Sequence, residues 1–335
     1  MDKVGYGVIG LGQFGEKHTQ VLSSLPNVDL IAVCSRRKER AKEVAEKYGA
    51  KKWYTDFNEM LENKEIEAVS IVTAEPEHRE PTVAAAKKGK HILLEKPMAM
   101  NLEDADAMIK ATQKAGIFFM VGHILRFCTS YVIAKQKIDE GKIGNILSLY
   151  ARRNLPARIT DHYLRRISSI IGDGLHDTDL MLWYTGAQVK SVYASSVSAR
   201  NLANPDIGWS MYKFDSGAVG ICESTWFLPE KTPFNIDARM EIIGTEGAIY
   251  IDLSNEGVAI NNKNGWRYPD TIHWPVQHGK RVGCLKEEIS YFVDCVTRGE
   301  EPNIIKPEEA RAAIEVVIAA DKSAKTGKII SLPEK

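Results

Sequence analysis

The sequence predicts an α/β protein: a doubly wound parallel sheet, followed by a second α/β domain on an open, mostly antiparallel sheet. Three observations carry this expectation. Short apolar runs rich in Val and Ile alternate with amphipathic segments over the first third of the chain. Gly10, Gly12 and Gly15 stand between the first such run and the first amphipathic segment. Beyond about residue 123, strand-like runs crowd together and turn signals separate them. The chain has 335 residues, beyond the size at which one core usually keeps growing, so two domains are expected, 1–122 and 123–335.

The elements follow in order. Strands are expected at 5–9, 29–34, 68–73, 91–94 and 117–121, apolar on both faces as a buried parallel sheet requires. In the first helix, 13–25, Phe14, Val21, Leu22 and Leu25 share one face. In the second, 36–48, the stripe is Ala41, Val44, Ala45 and Tyr48, with Gly49 as its C-cap. The second domain opens with a helix at 131–140. Strands follow at 146–152, 189–199, 210–214, 218–226, 240–243 and 248–252, with Asp215-Ser216-Gly217 and Gly244-Thr245-Glu246-Gly247 as turns. Helices are expected at 175–183, 284–297 and 307–325, the last opened by Pro307 and stopped by Gly327.

Composition narrows the function. Lys+Arg and Asp+Glu both number 44, so the net charge is zero and the footprint of a nucleic-acid binder is missing. No apolar run approaches a membrane span. The five cysteines are scattered and form no C-x-x-C pair, which predicts neither a disulfide framework nor a zinc site. The first strand begins at once, leaving no room for a signal peptide, so a cytoplasmic protein is expected.

Gly10-Leu11-Gly12-Gln13-Phe14-Gly15 has the G-x-G-x-x-G spacing, after a strand and before a helix. In that setting Gly10, Gly12, Gln13, Phe14 and Gly15 are expected to hold a dinucleotide pyrophosphate on the helix N-terminus. At the end of the second strand an NAD enzyme usually offers Asp or Glu to the ribose. Here Ser35, Arg36 and Arg37 stand instead. A hydroxyl and two guanidinium groups suit a 2′-phosphate, so the chemistry leans to NADP. NAD stays open if the arginines form a solvated first helical turn.

Glu95-Lys96-Pro97 ends the run 91–94 and places a lysine at the carboxyl end of a strand, where ligands of such sheets sit. The Lys96–Pro97 bond can be cis. His176 can exchange a proton near neutral pH, as oxidation of an alcohol requires, and Asp173, Asp177 and Asp179 could orient it. The same acids equally suit a capped helix start. His18 reads as a packing residue, and Arg126 as a substrate contact or a brace. No His, Asp or Cys grouping has metal-ligand spacing.

Together these residues resemble the glucose–fructose oxidoreductase, inositol dehydrogenase and MocA (Gfo/Idh/MocA) family, over nearly the whole chain. The resemblance rests on Gly10, Gly12 and Gly15, on Thr73 and His78 of a T-P-N-x-x-H pattern, and on Glu95-Lys96-Pro97. It continues through 122–127, His176-Asp177-x-Asp179 and Gly244-Thr245-Glu246-Gly247. It implies an N-terminal Rossmann domain and a C-terminal sheet that often forms the oligomer interface, hence a homodimer or homotetramer. It also implies a nicotinamide cofactor bordered by Thr73, His78, Glu95, Lys96 and Pro97, and a sugar, cyclitol or sugar-derivative substrate. Carried over, Lys96 bonds the nicotinamide ribose and the reacting oxygen, while His176 exchanges the proton as hydride passes. Arg126, Tyr163, Asp173 and Asp177 are the substrate-side candidates.

The chain departs from the family pattern at Ala74 and Glu75, and where many members carry Asp four residues before the histidine it has Gly172. Asp173, Tyr163 or another group could stand in, or His176 and Lys96 could suffice. Retained Lys96 and His176 favour an oxidoreductase. Gly172 favours the alternative, a non-catalytic cofactor-binding sensor of the same fold.

Overall fold

The computed structural model describes residues 3–254 and 257–333; the expected domain ends at 1–2 and 334–335 lie outside the described residues. Residues up to Phe127 pack with His273–Arg311 as one compact unit, and Cys128–Ile272 pack with the residues from Ala312 onward as another. This differs from a single cut at 122/123. The chain returns to the first unit at His273, a return that no change of composition marks.

The first unit contains β1 (Val4–Ile9), α1 (Gln13–Leu22), β2 (Val28–Cys34), α2 (Lys38–Tyr48), β3 (Lys52–Tyr54), α3 (Phe57–Leu61), β4 (Ala68–Ile71), α4 (Arg79–Lys87), β5 (His91–Glu95), α5 (Leu102–Ala115) and β6 (Phe119–Gly122). Its six strands lie in the order β3-β2-β1-β4-β5-β6, and all pairs are parallel. Every residue of β1 is buried, as a strand covered on both faces must be. The order reverses between β1 and β4, and the carboxyl ends beside such a switch point are where this kind of sheet binds ligands.

The second unit contains α6 (Thr129–Asp139), β7 (Ile146–Pro156), α7 (Ser169–Gly172), α8 (Gly174–Thr185), β8 (Val189–Val197), β9 (Ile207–Phe214), β10 (Val219–Leu228), β11 (Asp237–Gly244), β12 (Ala248–Asp252), β13 (Ile260–Asn262) and β14 (Gly265–Arg267). The returning segment adds β15 (Val276–Gln277), β16 (Lys280–Arg281) and α9 (Cys284–Arg298). α10 (Pro307–Thr326) and β17 (Ile330–Ser331) close the chain. α9 packs on α1, β1 and β5, burying Leu285, Ile289, Phe292 and Val293 at helical spacing.

The second sheet runs β12-β11-β7-β10-β9-β8-β17. It is antiparallel except for β7 and β10, which pair parallel from Ser148↔Val219 to Asn154↔Thr225. Such a pair cannot be closed by a hairpin, and α7, α8, β8 and β9 lie between the two in sequence. Along β10, Gly220, Cys222, Ser224 and Trp226 are buried, and their neighbours are less so. The period of two thus sends Trp226 to the face that α7 and α8 cover.

Cys34, Cys222 and Cys295 are free and buried. Among the described residues no helix is long and apolar enough to cross a membrane, and no cluster of His, Cys, Asp or Glu could hold a metal ion.

Candidate active site

The glycine turn between β1 and α1 is dictated by backbone approach. Gly10 has φ of +94°, and a Cβ there would lie 2.5 Å from the Val72 carbonyl oxygen at the end of β4. A Cβ on Gly15 would lie 1.8 Å from the carbonyl oxygen of Gly10. Gly12 is different: a Cβ there would meet nothing within 4 Å. The chain's own packing therefore needs glycine at 10 and 15, and the glycine at 12 leaves clear backbone at the helix N-terminus. Gly12 is the N-cap of α1, and no side chain caps its first turn. This turn fits a pyrophosphate on the helix N-terminus. Gln13 follows as the first helical residue, and the Phe14 ring packs edge-on against Trp274 at 5.3 Å.

At the end of β2, the Arg36 Nη1 donates to Glu77 Oε1 at 2.9 Å, with both side chains largely exposed. A carboxylate thus sits on one of the two guanidinium groups expected to serve a 2′-phosphate. The Ser35 hydroxyl oxygen accepts the Arg37 backbone N–H at 3.3 Å. Burial pushes the Cys34 thiol up to about 12, so it stays protonated.

Lys96 stands at the carboxyl end of β5, and its bond to Pro97 is cis. The Glu95 carboxylate accepts the Lys96 backbone N–H at 3.1 Å. Its other oxygen lies 3.0 Å from Nε2 of fully buried His18, whose Nδ1 lies 3.3 Å from the Ser70 hydroxyl, itself 3.1 Å from the Tyr6 hydroxyl. His18 is therefore more than a packing residue, because it anchors the glutamate beside Lys96. Glu288 of α9 is also fully buried, and neither of its carboxyl oxygens has a hydrogen-bond partner among the described residues. Burial, then the charge of Glu95, pushes its pKa well above the usual carboxylate range.

His78 has its ring nitrogens 2.9 Å from the Pro97 carbonyl oxygen and 3.2 Å from that of Thr73. Burial lowers its pKa, and the neutral ring, with a single N–H, donates to one of these two carbonyls at a time. The Thr73 hydroxyl donates to the Glu77 carbonyl oxygen at 3.3 Å. Arg126 is buried, and Nη1 donates to the Ile304 carbonyl at 2.9 Å and to Glu309 at 2.8 Å. Of the two expectations for Arg126, these contacts are those of a brace.

In the second unit, Asp173 stands between α7 and α8, and its carbonyl accepts the His176 N–H at 3.1 Å. Its Oδ1 lies 3.8 Å from His176 Nε2. Its Oδ2 accepts the Trp226 indole N–H at 2.5 Å. Tyr163 lies beside this group, its ring centroid 6.0 Å from that of Trp226 and 3.8 Å from that of His162.

Asp177 belongs elsewhere. It is fully buried, and Arg153 donates to its two oxygens at 2.9 and 3.1 Å while also reaching the Tyr131 hydroxyl at 3.1 Å. Burial works against the Arg153 charge, and the Asp177 carboxylate more than offsets it, so Arg153 is held above its ordinary range. The substrate contact expected of Asp177 is thereby corrected: both its oxygens are committed to a core ion pair. Sequence reasoning also missed Trp226 and Glu288, since an aromatic at an inward strand position and an acid on an amphipathic helix carry no signal of their polar roles.

The glycine turn at the switch point of a parallel sheet is the arrangement of a dinucleotide-binding fold. The family model described as "Oxidoreductase family, NAD-binding Rossmann fold" matches residues 4–123, and the GFO/IDH/MocA C-terminal domain matches 131–250. The scyllo-inositol 2-dehydrogenase (NAD(+)) of Bacillus subtilis (strain 168) is 33% identical over 99% of this chain and 97% of its own length. The myo-inositol 2-dehydrogenase of Thermotoga maritima is 29% identical, covering 98% of both chains. A solved structure of a probable dehydrogenase from Thermotoga maritima superposes with a TM-score of 0.84 at 28% identity, covering 98% of this chain and 99% of that one. The chain belongs to the Gfo/Idh/MocA family of oxidoreductases with an NAD-binding Rossmann fold.

Proposed function

We propose that this enzyme oxidises a ring hydroxyl of a cyclitol or a closely related sugar with NAD, or runs the reverse reduction. The observation that carries the reading is the retained pair of Lys96, at the carboxyl end of β5, and His176, beside a carboxylate. The relatives named above are inositol dehydrogenases, one of them named for NAD(+), which supports the substrate class and the cofactor. The pairing of Arg36 with Glu77 favours NAD over the NADP first expected, because a carboxylate repels a 2′-phosphate. Gly172, which favoured a non-catalytic sensor, is offset by the carboxylate of Asp173 near His176.

When bound, the nicotinamide supplies the hydride acceptor or donor. Gly10, Gly12, Gln13, Phe14 and Gly15 would hold the pyrophosphate, and Ser35 with Arg37 would border the adenosine ribose. Thr73 and Pro97, whose carbonyls both lie within reach of the His78 ring, would border the nicotinamide side with Glu95. Lys96 binds the reacting oxygen and stabilises its developing negative charge. His176 takes the hydroxyl proton in oxidation and returns it in reduction. Tyr163 contributes to the substrate wall, and the second-unit sheet joins copies into a homo-oligomer.

The test is nicotinamide absorbance with scyllo- and myo-inositol, using NAD⁺ and NADP⁺ in parallel. Turnover is expected with NAD⁺, falling about a hundredfold to ten-thousandfold in His176→Ala. Full activity in His176→Ala, or no turnover of any cyclitol or sugar by the wild type, would refute the reading.

A further inference from the structure

We infer that Asp173, held in place by Trp226, is the anionic partner of His176, and that Trp226 occupies the space a side chain at position 172 would need. The inference rests on the reading of His176 as the proton-exchanging group.

The geometry is mutually exclusive. A Cβ on Gly172 would lie 2.3 Å from both Cζ2 and Cη2 of the Trp226 indole. No residue larger than glycine fits at 172 while the indole is there. The indole is firmly placed. Trp226 is 2% exposed, its backbone N–H donates to the Asp206 carbonyl at 2.7 Å, and its carbonyl accepts the Thr160 hydroxyl at 3.1 Å. From that position Nε1 donates to Asp173 Oδ2 at 2.5 Å and leaves Oδ1 facing His176 Nε2. The carboxylate that glycine removes from position 172 is thus replaced by one from the next residue, turned by the indole.

At 3.8 Å the Oδ1–Nε2 separation is longer than a direct hydrogen bond, so the coupling is one of charge. In oxidation the bound nicotinamide would supply the acceptor for the carbinol hydride, and the hydroxyl proton passes to Nε2. The imidazolium that results carries a positive charge in a site where Asp173 and His176 are only 9% and 8% exposed. The Asp173 carboxylate stabilises that cation, which later releases its proton to solvent. Asp173 and Trp226 are positioning residues that act through His176.

α8 packs against α7, β7 and β10. Ionisable groups on those strands include Tyr150, Arg152, Arg153, Cys222 and Glu223. Arg153 is taken by Asp177, Arg152 by Asp237, and Tyr150 donates to Glu223. Cys222 is buried and protonated. On α8 itself Asp177 is in its pair and Asp179 is buried.

The experiment compares wild type, Asp173→Asn, Asp173→Glu, Trp226→Phe and the Asp173→Asn/Trp226→Phe double variant. Each is assayed with scyllo-inositol and NAD⁺, and by NMR titration of the His176 ring without substrate. Asp173→Asn is isosteric, and its kcat is expected to fall on the order of tenfold or more with KM and NAD⁺ binding little changed. Its His176 midpoint is expected to move down by about one pH unit. Asp173→Glu keeps the charge and recovers part of both effects. Trp226→Phe loses part of the same activity, and the double variant is no worse than Asp173→Asn alone, because the indole acts through the carboxylate. Wild-type kcat and an unmoved midpoint in Asp173→Asn would overturn the inference, as would equal losses in Asp173→Asn and Asp173→Glu, or fully additive losses in the double variant. An active His176→Ala overturns the parent reading instead, so the two failures are distinguishable.

Discussion

Glu288 shows what a single carboxyl does in a dry place. In the unfolded chain it ionises near the ordinary value, about 4.3. In the folded chain burial and the neighbouring Glu95 keep it protonated to much higher pH. Between those two pKa values the folded state binds a proton that the unfolded state has released. Stability therefore falls as pH rises through that window, and the full contribution is present only below the unfolded pKa. Glu288→Gln keeps the shape and removes the titration. Thermal melts from pH 5 to 8 should show wild type losing stability relative to the glutamine variant as pH rises. Parallel curves would mean that Glu288 is ionised in the fold. The group also lies near the Glu95–His18–Ser70–Tyr6 chain that positions Lys96, so what it disturbs is local to the reactive end of β5.

At the scale of the element, the turn from β1 into α1 separates two uses of glycine. Gly15→Ala puts a methyl against the Gly10 carbonyl, which forces α1 away from the sheet and should lower the melting temperature. Gly12→Ala meets nothing and replaces only an N-cap residue, a cost of at most about 1 kcal/mol. Its effect should appear instead in the NAD⁺ dissociation constant, by calorimetry, as a rise on the order of tenfold, because the pyrophosphate must approach that backbone. Wild-type NAD⁺ affinity in Gly12→Ala would remove the turn from the cofactor site. This element was legible in the sequence because its cause is local: spacing, strand before, helix after. The parallel sheet was legible for the same reason, since burial on both faces writes itself as continuous Val and Ile. The β7–β10 parallel pair, the return of α9 to the first unit and the Trp226–Asp173 contact were not. Each joins residues dozens of positions apart, and neither alternation nor composition encodes which distant partner a strand or an indole meets. The Arg36–Glu77 pairing was not legible for that reason too, since the two residues are 41 positions apart.

At the scale of the whole molecule, the remaining question is the outer face of the second sheet. One register row runs Tyr193↔Met211↔Ile221↔Tyr150↔Glu241↔Tyr250, crossing six strands from β8 to β12. Met211 is 46% and Tyr250 70% exposed, with Trp209 and Phe227 also open to solvent on this side. The next row, Ser195↔Trp209↔Glu223↔Arg152↔Arg239↔Asp252, is largely charged. A row that is apolar and aromatic except at Glu241, beside a row carrying charges of both signs, has the make-up of a surface that pairs with its own copy, where the apolar groups are buried and the charges set the register. A homo-oligomer formed through this sheet should give a light-scattering mass that is a multiple of the chain mass. Met211→Asp would place an unpaired carboxylate between Tyr193 and Ile221 in the buried row, a cost of several kcal/mol at each copy of the interface. It should shift the protein to monomer while the melting profile of the separated chain stays cooperative. Monomeric wild type across the concentration range, or an unchanged mass in Met211→Asp, would show that the band is covered by something else or by nothing. Because the exposed row lies on the opposite side of the sheet from His176 and Trp226, the monomeric variant should keep its NAD⁺ affinity, which distinguishes loss of assembly from loss of fold.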